Sequence, residues 1–133
     1  MPIQYEYIAD LKCLYAVGSG KVQRQDFLDY HHKITISEPP PSLLVLSDYR
    51  ELDSSALTAS DIEEIRASAL SKTQNRYARV REAIVVSEGL TYGLSRMYDG
   101  VFHSDKYEVN ILTDINEAKA WLGLAPEDLP QAI

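Results

Sequence analysis

The stretch SLLVLSDY (residues 42–49) is an almost continuous apolar run that follows three consecutive prolines. Runs of this kind are typical of a strand that is covered on both faces of a sheet. EAIVVSE (residues 82–88) has the same character, and we predict a second buried strand over residues 82–87. Such strands need helices packed above and below their sheet, so the two runs predict an α/β fold.

Further strands and helices are predicted on both sides of these runs. Alternation and short apolar runs predict strands over residues 4–9, over residues 12–17 and within KYEVNIL (residues 106–112). Two helix starts carry capping residues, one at Ser60 with Glu63 three positions later and one at Asp114. Helices are predicted over residues 23–35, from Ser60 onward, within GLTYGLSRMYDGVF (residues 89–102) and within INEAKAWLGL (residues 115–124).

The resulting order is β-β-α-β-α-β-α-β-α, an α/β fold with a four- to five-stranded mixed sheet and about four helices. A chain of 133 residues accommodates a single domain. We assign the domain to residues 1–124 and expect the tail of residues 125–133 to be loosely held. Gly18-Ser19-Gly20 is interpreted as a turn that ends the second strand, because it lacks the further residues of a phosphate-binding loop.

Composition limits the classes of partner. The net charge of −7 argues against nucleic-acid binding and against anionic membrane surfaces, which both require cationic surface. No segment reaches the roughly 18 apolar residues of a membrane span. The N-terminal MPIQYEYIAD lacks the features of a signal peptide, and Cys13, the only cysteine, lies in an apolar run as an expected buried thiol. We therefore predict a cytoplasmic protein.

The usual catalytic devices are not apparent in the sequence. His31 and His32 are adjacent in a predicted helix and point about 100° apart, so they do not make a metal pair, and no metal site is predicted. No G-x-S-x-G motif is present. We expect no cofactor and no enzymatic activity. An enzyme would instead show a pocket in which polar groups with perturbed pKa values converge.

Two compositional features leave alternatives open. KTQNRYARVR (residues 72–81) is the single basic stretch, and it is either an anion or partner patch or the cationic end of a helix followed by a loop. Tyrosine is frequent, with nine residues. Most tyrosines are expected at the core or its rim, and some are candidates to line an apolar pocket, which is expected first near Met97, Tyr98 and Phe102.

The order of elements and several motifs resemble the SpoIIAA-like domains, which are relatives of the STAS (sulfate transporter and anti-sigma factor antagonist) domains. GKVQRQDFLDY and LLVLSDYRELD resemble the first half of such a domain, and EAIVVSEGLTYGLSRMYDGVF and KYEVNILTDINEAKAWLGL resemble the second. The positions that carry the second likeness are Tyr92, Gly93, Arg96, Met97, Glu117, Ala118, Trp121 and Leu122. The resemblance covers most of residues 4–124 and implies a bacterial protein with helices wound around a four- or five-stranded sheet.

The resemblance also implies a site. Phosphorylatable antagonists of anti-sigma factors carry a D-S-S-G-L segment, which DSSAL (residues 53–57) matches apart from Ala56. By this correspondence Ser55 is the candidate phospho-acceptor, with Ser54 beside it and Asp53 before it. Ligands of open α/β sheets bind beyond the carboxyl ends of the strands. The candidate binding rim there comprises Asp48, Arg50, Asp53, Tyr92, Arg96 and Met97.

The function expected from the sequence is a regulatory protein–protein interaction module without catalytic activity. The alternative is a carrier of a small apolar ligand, because the lipid-carrying CRAL-TRIO domains have a similar architecture. A homodimer is a further expectation if the tyrosine-bearing helix exposes apolar surface. Asp48 and Arg50 are equally expected to form a structural ion pair.

Overall fold

The computed structural model describes residues 2–87 and 106–129, together with Gly89 and Gly93. Five strands and three α-helices lie within these residues. They are β1 (Ile3–Ile8), β2 (Cys13–Lys21), α1 (Arg24–Lys33), β3 (Ser42–Asp53), α2 (Ala59–Thr73), β4 (Arg79–Val85), β5 (Tyr107–Leu112) and α3 (Ile115–Trp121). The predicted α/β fold with a five-stranded mixed sheet is confirmed. The further helix predicted within residues 89–102 lies outside the described residues.

The strands lie in the sheet in the order of the sequence, β1-β2-β3-β4-β5. β1 is antiparallel to β2, and β2 to β5 are parallel to one another. The predicted interior position of the two apolar runs is confirmed, because β3 and β4 each have a strand on both sides. Leu46 of β3 and Val85 of β4 have no exposed surface.

The two faces of the sheet are covered by different helices. Val45 of β3 points to the face covered by α1 and α2, where Phe27 and Ile65 join the core. Its neighbour Leu46 points to the opposite face, where it packs with Ala118 of α3. Alternate residues of a strand point to opposite faces, so an interior strand supplies both cores from one continuous apolar run. We refer to these faces as the α1/α2 face and the α3 face.

The glycine-rich segment at residues 18–20 does not end β2, contrary to the prediction. β2 continues to Lys21 and pairs with β3 after an irregularity between Val17 and Ser19. A methyl group on Gly18 would lie 2.8 Å from atoms of both Tyr49 and Leu52. Gly18 is therefore a strand residue at which the side chains of β3 lie against the backbone.

Helix α2 begins earlier than predicted. Its N-cap is Thr58, whose hydroxyl accepts a hydrogen bond from the Asp61 amide at 3.1 Å, while Asp61 accepts from the Thr58 amide at 2.9 Å. This reciprocal pair satisfies two of the free amides at the helix start. Ser60 and Glu63 have the same spacing in the sequence, which explains why Ser60 was wrongly predicted to be the N-cap. Asp114 caps α3 as predicted, by accepting from the amides of residues 116 and 117.

Residues 125–129, the described part of the segment expected to be a loosely held tail, pack on the protein. Leu129 is 5% exposed and belongs to the core of the α3 face. The Lys119 ammonium donates to the carbonyl of Pro126 at 2.8 Å, and Asp128 accepts from the amide of Ala125. Cys13 is buried, as predicted, and burial raises its pKa to about 12. Among the described helices, none is both long and apolar enough to cross a bilayer.

Candidate functional site

A cavity of about 120 Å³ lies between the sheet and the two helices of the α1/α2 face. This volume approaches that of an engineered cavity of roughly 150 Å³ that binds benzene. Much of its wall is apolar, and this part includes Phe27, Val45, Tyr49, Ile62, Ile65 and Ile84. Some tyrosines were expected to line an apolar pocket, and Tyr30, Tyr49, Tyr77 and Tyr107 do so here. The neighbourhood of Met97, Tyr98 and Phe102, where such a pocket was expected first, lies outside the described residues.

One acidic side chain, Glu82, lies in this wall. Glu82 is 8% exposed and belongs to the interior strand β4, on the same face as Val80 and Ile84. Its Oε1 accepts a hydrogen bond from the Tyr107 hydroxyl at 2.8 Å, and its Oε2 accepts one from the Ser47 hydroxyl at 2.9 Å. The two donors come from β5 and β3, the neighbours of β4 on either side. Three adjacent strands thus assemble one buried carboxyl site.

Burial governs the protonation of this site. It raises the pKa of Glu82, because the charged form loses its hydration, and the hydrogen bonds from Tyr107 and Ser47 oppose that rise. Burial, and next the charge of Glu82, raise the pKa of Tyr49 far above its ordinary value. Tyr49 therefore keeps its proton at physiological pH. In the sheet wall of the cavity, Glu82 is therefore a carboxyl group with hydroxyl donors at both oxygens.

A second polar group lines the cavity at the end of α1. His31 is half-buried, and its Nδ1 lies 2.9 Å from the hydroxyl of Ser68 on α2. Burial, together with the positive charge of Lys72, lowers the pKa of His31 to about 4. His31 is therefore neutral at physiological pH. Lys72 and Arg76 also line the cavity, and both residues are exposed to solvent.

The rim residues predicted on β3 lie away from this cavity. Arg50 donates to both carboxylate oxygens of Asp48, at 2.9 Å and 2.7 Å, so the predicted ion pair is confirmed. The charges of Asp48 and Arg50 act on Tyr15, a core residue of the α3 face, and the Arg50 carbonyl accepts from Ser87. Neither charged residue lines the cavity.

The DSSAL segment forms the turn between β3 and α2. Asp53 ends β3, and its carboxylate accepts from the Ser55 amide at 3.0 Å. A hydrogen bond from the Ser55 side chain, and next the one from this amide, lowers the pKa of Asp53. The Ser54 carbonyl accepts from the Leu57 amide at 3.0 Å. Ser54 is 3% exposed and lines the cavity, whereas Ser55 is exposed. Of the two serines, only Ser55 is accessible to a modifying enzyme.

The other three predicted rim residues, Tyr92, Arg96 and Met97, lie outside the described residues. Within the described part of the chain, no group of three or more histidine, cysteine, aspartate or glutamate side chains is arranged to hold a metal ion. Comparisons with models of protein families, with curated proteins and with solved structures found no match for this chain. The resemblance to SpoIIAA-like domains stays a prediction.

Ser54 and the basic stretch that holds Lys72 and Arg76 were candidates from the sequence and line the cavity, but Glu82 was not a candidate. A signal was present, because Glu82 is an acid at the start of a run predicted to be an interior strand, and Ser47 is a hydroxyl within the other such run. Charged residues are almost never buried without a partner, so an acid in such a strand predicts a polar partner nearby. The partner Tyr107 is 25 residues away, and only the pairing of β4 with β5 brings it close.

Proposed function

We propose that this domain binds a small, largely apolar ligand in the cavity of the α1/α2 face. The observation that carries this proposal is the cavity of about 120 Å³, with apolar walls and one hydrogen-bonded carboxyl. Ligand sites in proteins are concave and mostly apolar, with a few placed polar groups that fix orientation. A carrier of a small apolar ligand is also the alternative function expected from the sequence.

The energetic cost of the cavity supports a binding role. Protein interiors are packed to the density of organic crystals, and residual cavities destabilise by about 24 cal/mol per Å³. At that rate an enclosed cavity of 120 Å³ would cost on the order of 3 kcal/mol, and an opening to solvent lowers this cost. The enclosed value is a large part of the roughly 5–15 kcal/mol that stabilises a typical domain. A ligand that fills the space offsets the cost.

A cavity-filling substitution tests the proposal. Ala69 is a buried residue of α2 that lines the cavity, and Ala67 is an exposed residue of the same helix. We expect octan-1-ol to bind the wild type and Ala67→Leu, and to bind Ala69→Leu at least tenfold more weakly. Chemical-shift titration measures the affinities, and native mass spectrometry of freshly purified protein identifies a ligand that is already bound. Equal affinity of all three proteins, or no binding by the wild type, would contradict the proposal.

A regulatory protein–protein interaction remains the second proposal, and the exposure of Ser55 favours it. A phosphate on Ser55 would bring about two negative charges beside the Asp53 carboxylate, which is hydrogen-bonded to the Ser55 amide. Repulsion between these charges would alter the turn before α2. The kinship with phosphorylatable SpoIIAA-like antagonists belongs to this proposal, and so do a bacterial origin, a cytoplasmic location and a homodimer.

Treatment with a host-cell extract and ATP tests the second proposal. We expect phosphate on Ser55 and none on the buried Ser54, and Ser55→Ala should abolish the modification. An unmodified mass after treatment counts against the switch. We propose binding rather than catalysis. Glu82 has the raised pKa expected of an enzyme site, but Ser47 and Tyr107 already donate to both of its oxygens.

A further inference from the structure

We infer that the ligand is an amphiphile with an anionic head group, which Lys72 and Arg76 hold at the opening of the cavity. The inference rests on the proposed function of the cavity and adds the chemical class of the ligand. Both residues line the cavity and both are exposed, so the cavity meets solvent beside them. An apolar chain inside the cavity would therefore place its polar end next to two cations.

The two cations come from the end of α2. Lys72 is in the last turn of the helix, and Arg76 follows four residues later, in the turn that leads to β4. The Arg76 guanidinium donates to the carbonyl of Ile36 at 3.3 Å, which ties it to the segment that follows α1. This contact directs Arg76 across the gap between the ends of α1 and α2.

Among the described residues, no acidic side chain forms an ion pair with either cation. Ion pairs in this part of the chain involve Arg24, Arg50, Arg79 and Arg81 instead. The nearby His31 is neutral and adds no further positive charge, because burial and next the charge of Lys72 lower its pKa. Two cations without an acidic partner beside an apolar cavity are complementary to a single anionic group.

The remaining charge of the cavity is Glu82, in the sheet wall. Hydrogen bonds from Ser47 and Tyr107 already support its two oxygens, and burial favours its neutral form. A cationic head group would meet Lys72 and Arg76 first and be repelled. A neutral head group would gain nothing from them. The charge at the opening therefore selects an anion, although the whole chain carries a net charge of −7.

The alternative role of Lys72 is to offset the negative end of the α2 dipole. That role does not account for Arg76, which lies beyond the helix and whose guanidinium reaches Ile36. The two roles also differ in their consequences. A cation that serves only the helix affects stability, whereas a head-group contact makes affinity depend on the charge of the ligand.

Three ligands with the same eight-carbon chain separate these possibilities: octanoate, octan-1-ol and octylamine. At pH 7.5 and low salt, we expect octanoate to bind the wild type roughly tenfold more tightly than octan-1-ol, and octylamine to bind most weakly. The double variant Lys72→Gln/Arg76→Gln should bind octanoate and octan-1-ol with equal affinity. Arg79→Gln is the control, because Arg79 is exposed, pairs with Glu108 and does not line the cavity. It should keep the preference for octanoate.

The outcomes distinguish failure of the anionic head-group inference from failure of the proposed binding function. Equal affinities of wild type for the three ligands, or an unchanged preference in the double variant, would overturn the inference and leave cavity binding intact. Tightest binding of octylamine would also overturn it and assign selectivity to Glu82. Failure of all three ligands to bind would instead overturn the proposed function itself. Loss of the octanoate preference at high salt would support the charge contact.

Discussion

The Tyr107 hydroxyl donates a hydrogen bond to Oε1 of Glu82 at 2.8 Å and so joins the side chains of two neighbouring strands, β5 and β4, within the sheet wall of the cavity. The carboxyl is buried, and a buried polar group without a partner is costly. The Tyr107 hydroxyl therefore links two strands of the sheet. It also offsets part of the cost of burying the Glu82 carboxyl in the cavity wall.

Removing this hydroxyl should destabilise the protein. We expect Tyr107→Phe to lower the free energy of unfolding by about 1–2 kcal/mol at pH 7, because Glu82 loses one of its two donors. Urea unfolding measures the change. Tyr5→Phe is the matched control, since its ring packs 5.2 Å from that of Tyr30 and its hydroxyl has no partner among the described residues. Equal losses in the two variants would show that the Tyr107 hydroxyl has no special role.

The charge of Glu82 should appear in the pH dependence of stability. The pKa of Glu82 is raised above 4.5 in the folded state, so the unfolded chain loses this proton first as pH increases. The stabilising contribution is complete below pH 4.5 and is lost as pH rises through the folded pKa. Glu82→Gln lacks this loss, so its free energy of unfolding relative to that of the wild type should increase as pH rises from 4.5 to 8.

Urea unfolding of both proteins at several pH values tests this prediction. Glu63→Gln is the control, because Glu63 is an exposed residue of α2. Its difference from the wild type should be nearly constant over the same range. If the curves of Glu82→Gln and the wild type stay parallel, the folded pKa of Glu82 is not raised.

The effect of His31 on the pH dependence of stability should be opposite to that of Glu82, with stability lost as pH falls. Its pKa is lowered from 6.5 to about 4 in the folded protein, so the unfolded chain takes up the proton first as pH falls. Stability is complete above pH 6.5 and is lost between pH 6.5 and about 4. We expect a loss of about 2–3 kcal/mol in the wild type that is absent in His31→Asn. His32→Asn, at an exposed neighbouring position, should lose stability in the acidic range as the wild type does. If His32→Asn does not lose stability there, the loss does not come from His31.

A single methyl group at position 18 should disturb β2. In Gly18→Ala, the new carbon would lie 2.8 Å from atoms of Tyr49 and Leu52, so these side chains must move. We expect a loss of about 1–3 kcal/mol. Ser19→Ala, at the next and exposed position, should change stability by less than about 0.5 kcal/mol. Thermal unfolding compares the two variants, and a neutral Gly18→Ala would mean that β3 does not pack closely against this backbone.

The outline of the fold was predictable because burial on two faces leaves a direct trace in the sequence. The run SLLVLSDY indicated an interior strand without any knowledge of its neighbours, and the pairing of β3 with β2 and β4 agrees. Boundaries were less predictable. Thr58 and Ser60 both stand three residues before an acidic residue, so the sequence did not decide which of them is the N-cap. Gly18 was predicted to lie in a turn, because the sequence does not show that Tyr49, 31 positions later, packs against its backbone.

The cavity was not predictable in the same way. Its wall combines residues from α1, α2 and four of the strands, and a void is a property of how side chains fail to fill the space between elements. The sequence pointed first to the neighbourhood of Met97, Tyr98 and Phe102, which lies outside the described residues, and it did not single out the four tyrosines that line the cavity. Glu82 was visible only as one acid among many, since its burial and its partner Tyr107 follow from the register of β4 and β5.

Nuclear Overhauser contacts between bound octan-1-ol and the methyl groups of the protein test the central claim most directly. The wild type should show contacts from the alkyl chain to Val45, Ile65 and Ile84, which line the cavity, and none to Leu46 or Val85, which are equally buried on the α3 face. Contacts to Leu46 and Val85, or no contact to the first three residues at saturating octan-1-ol, would contradict the assignment of this cavity as the ligand site.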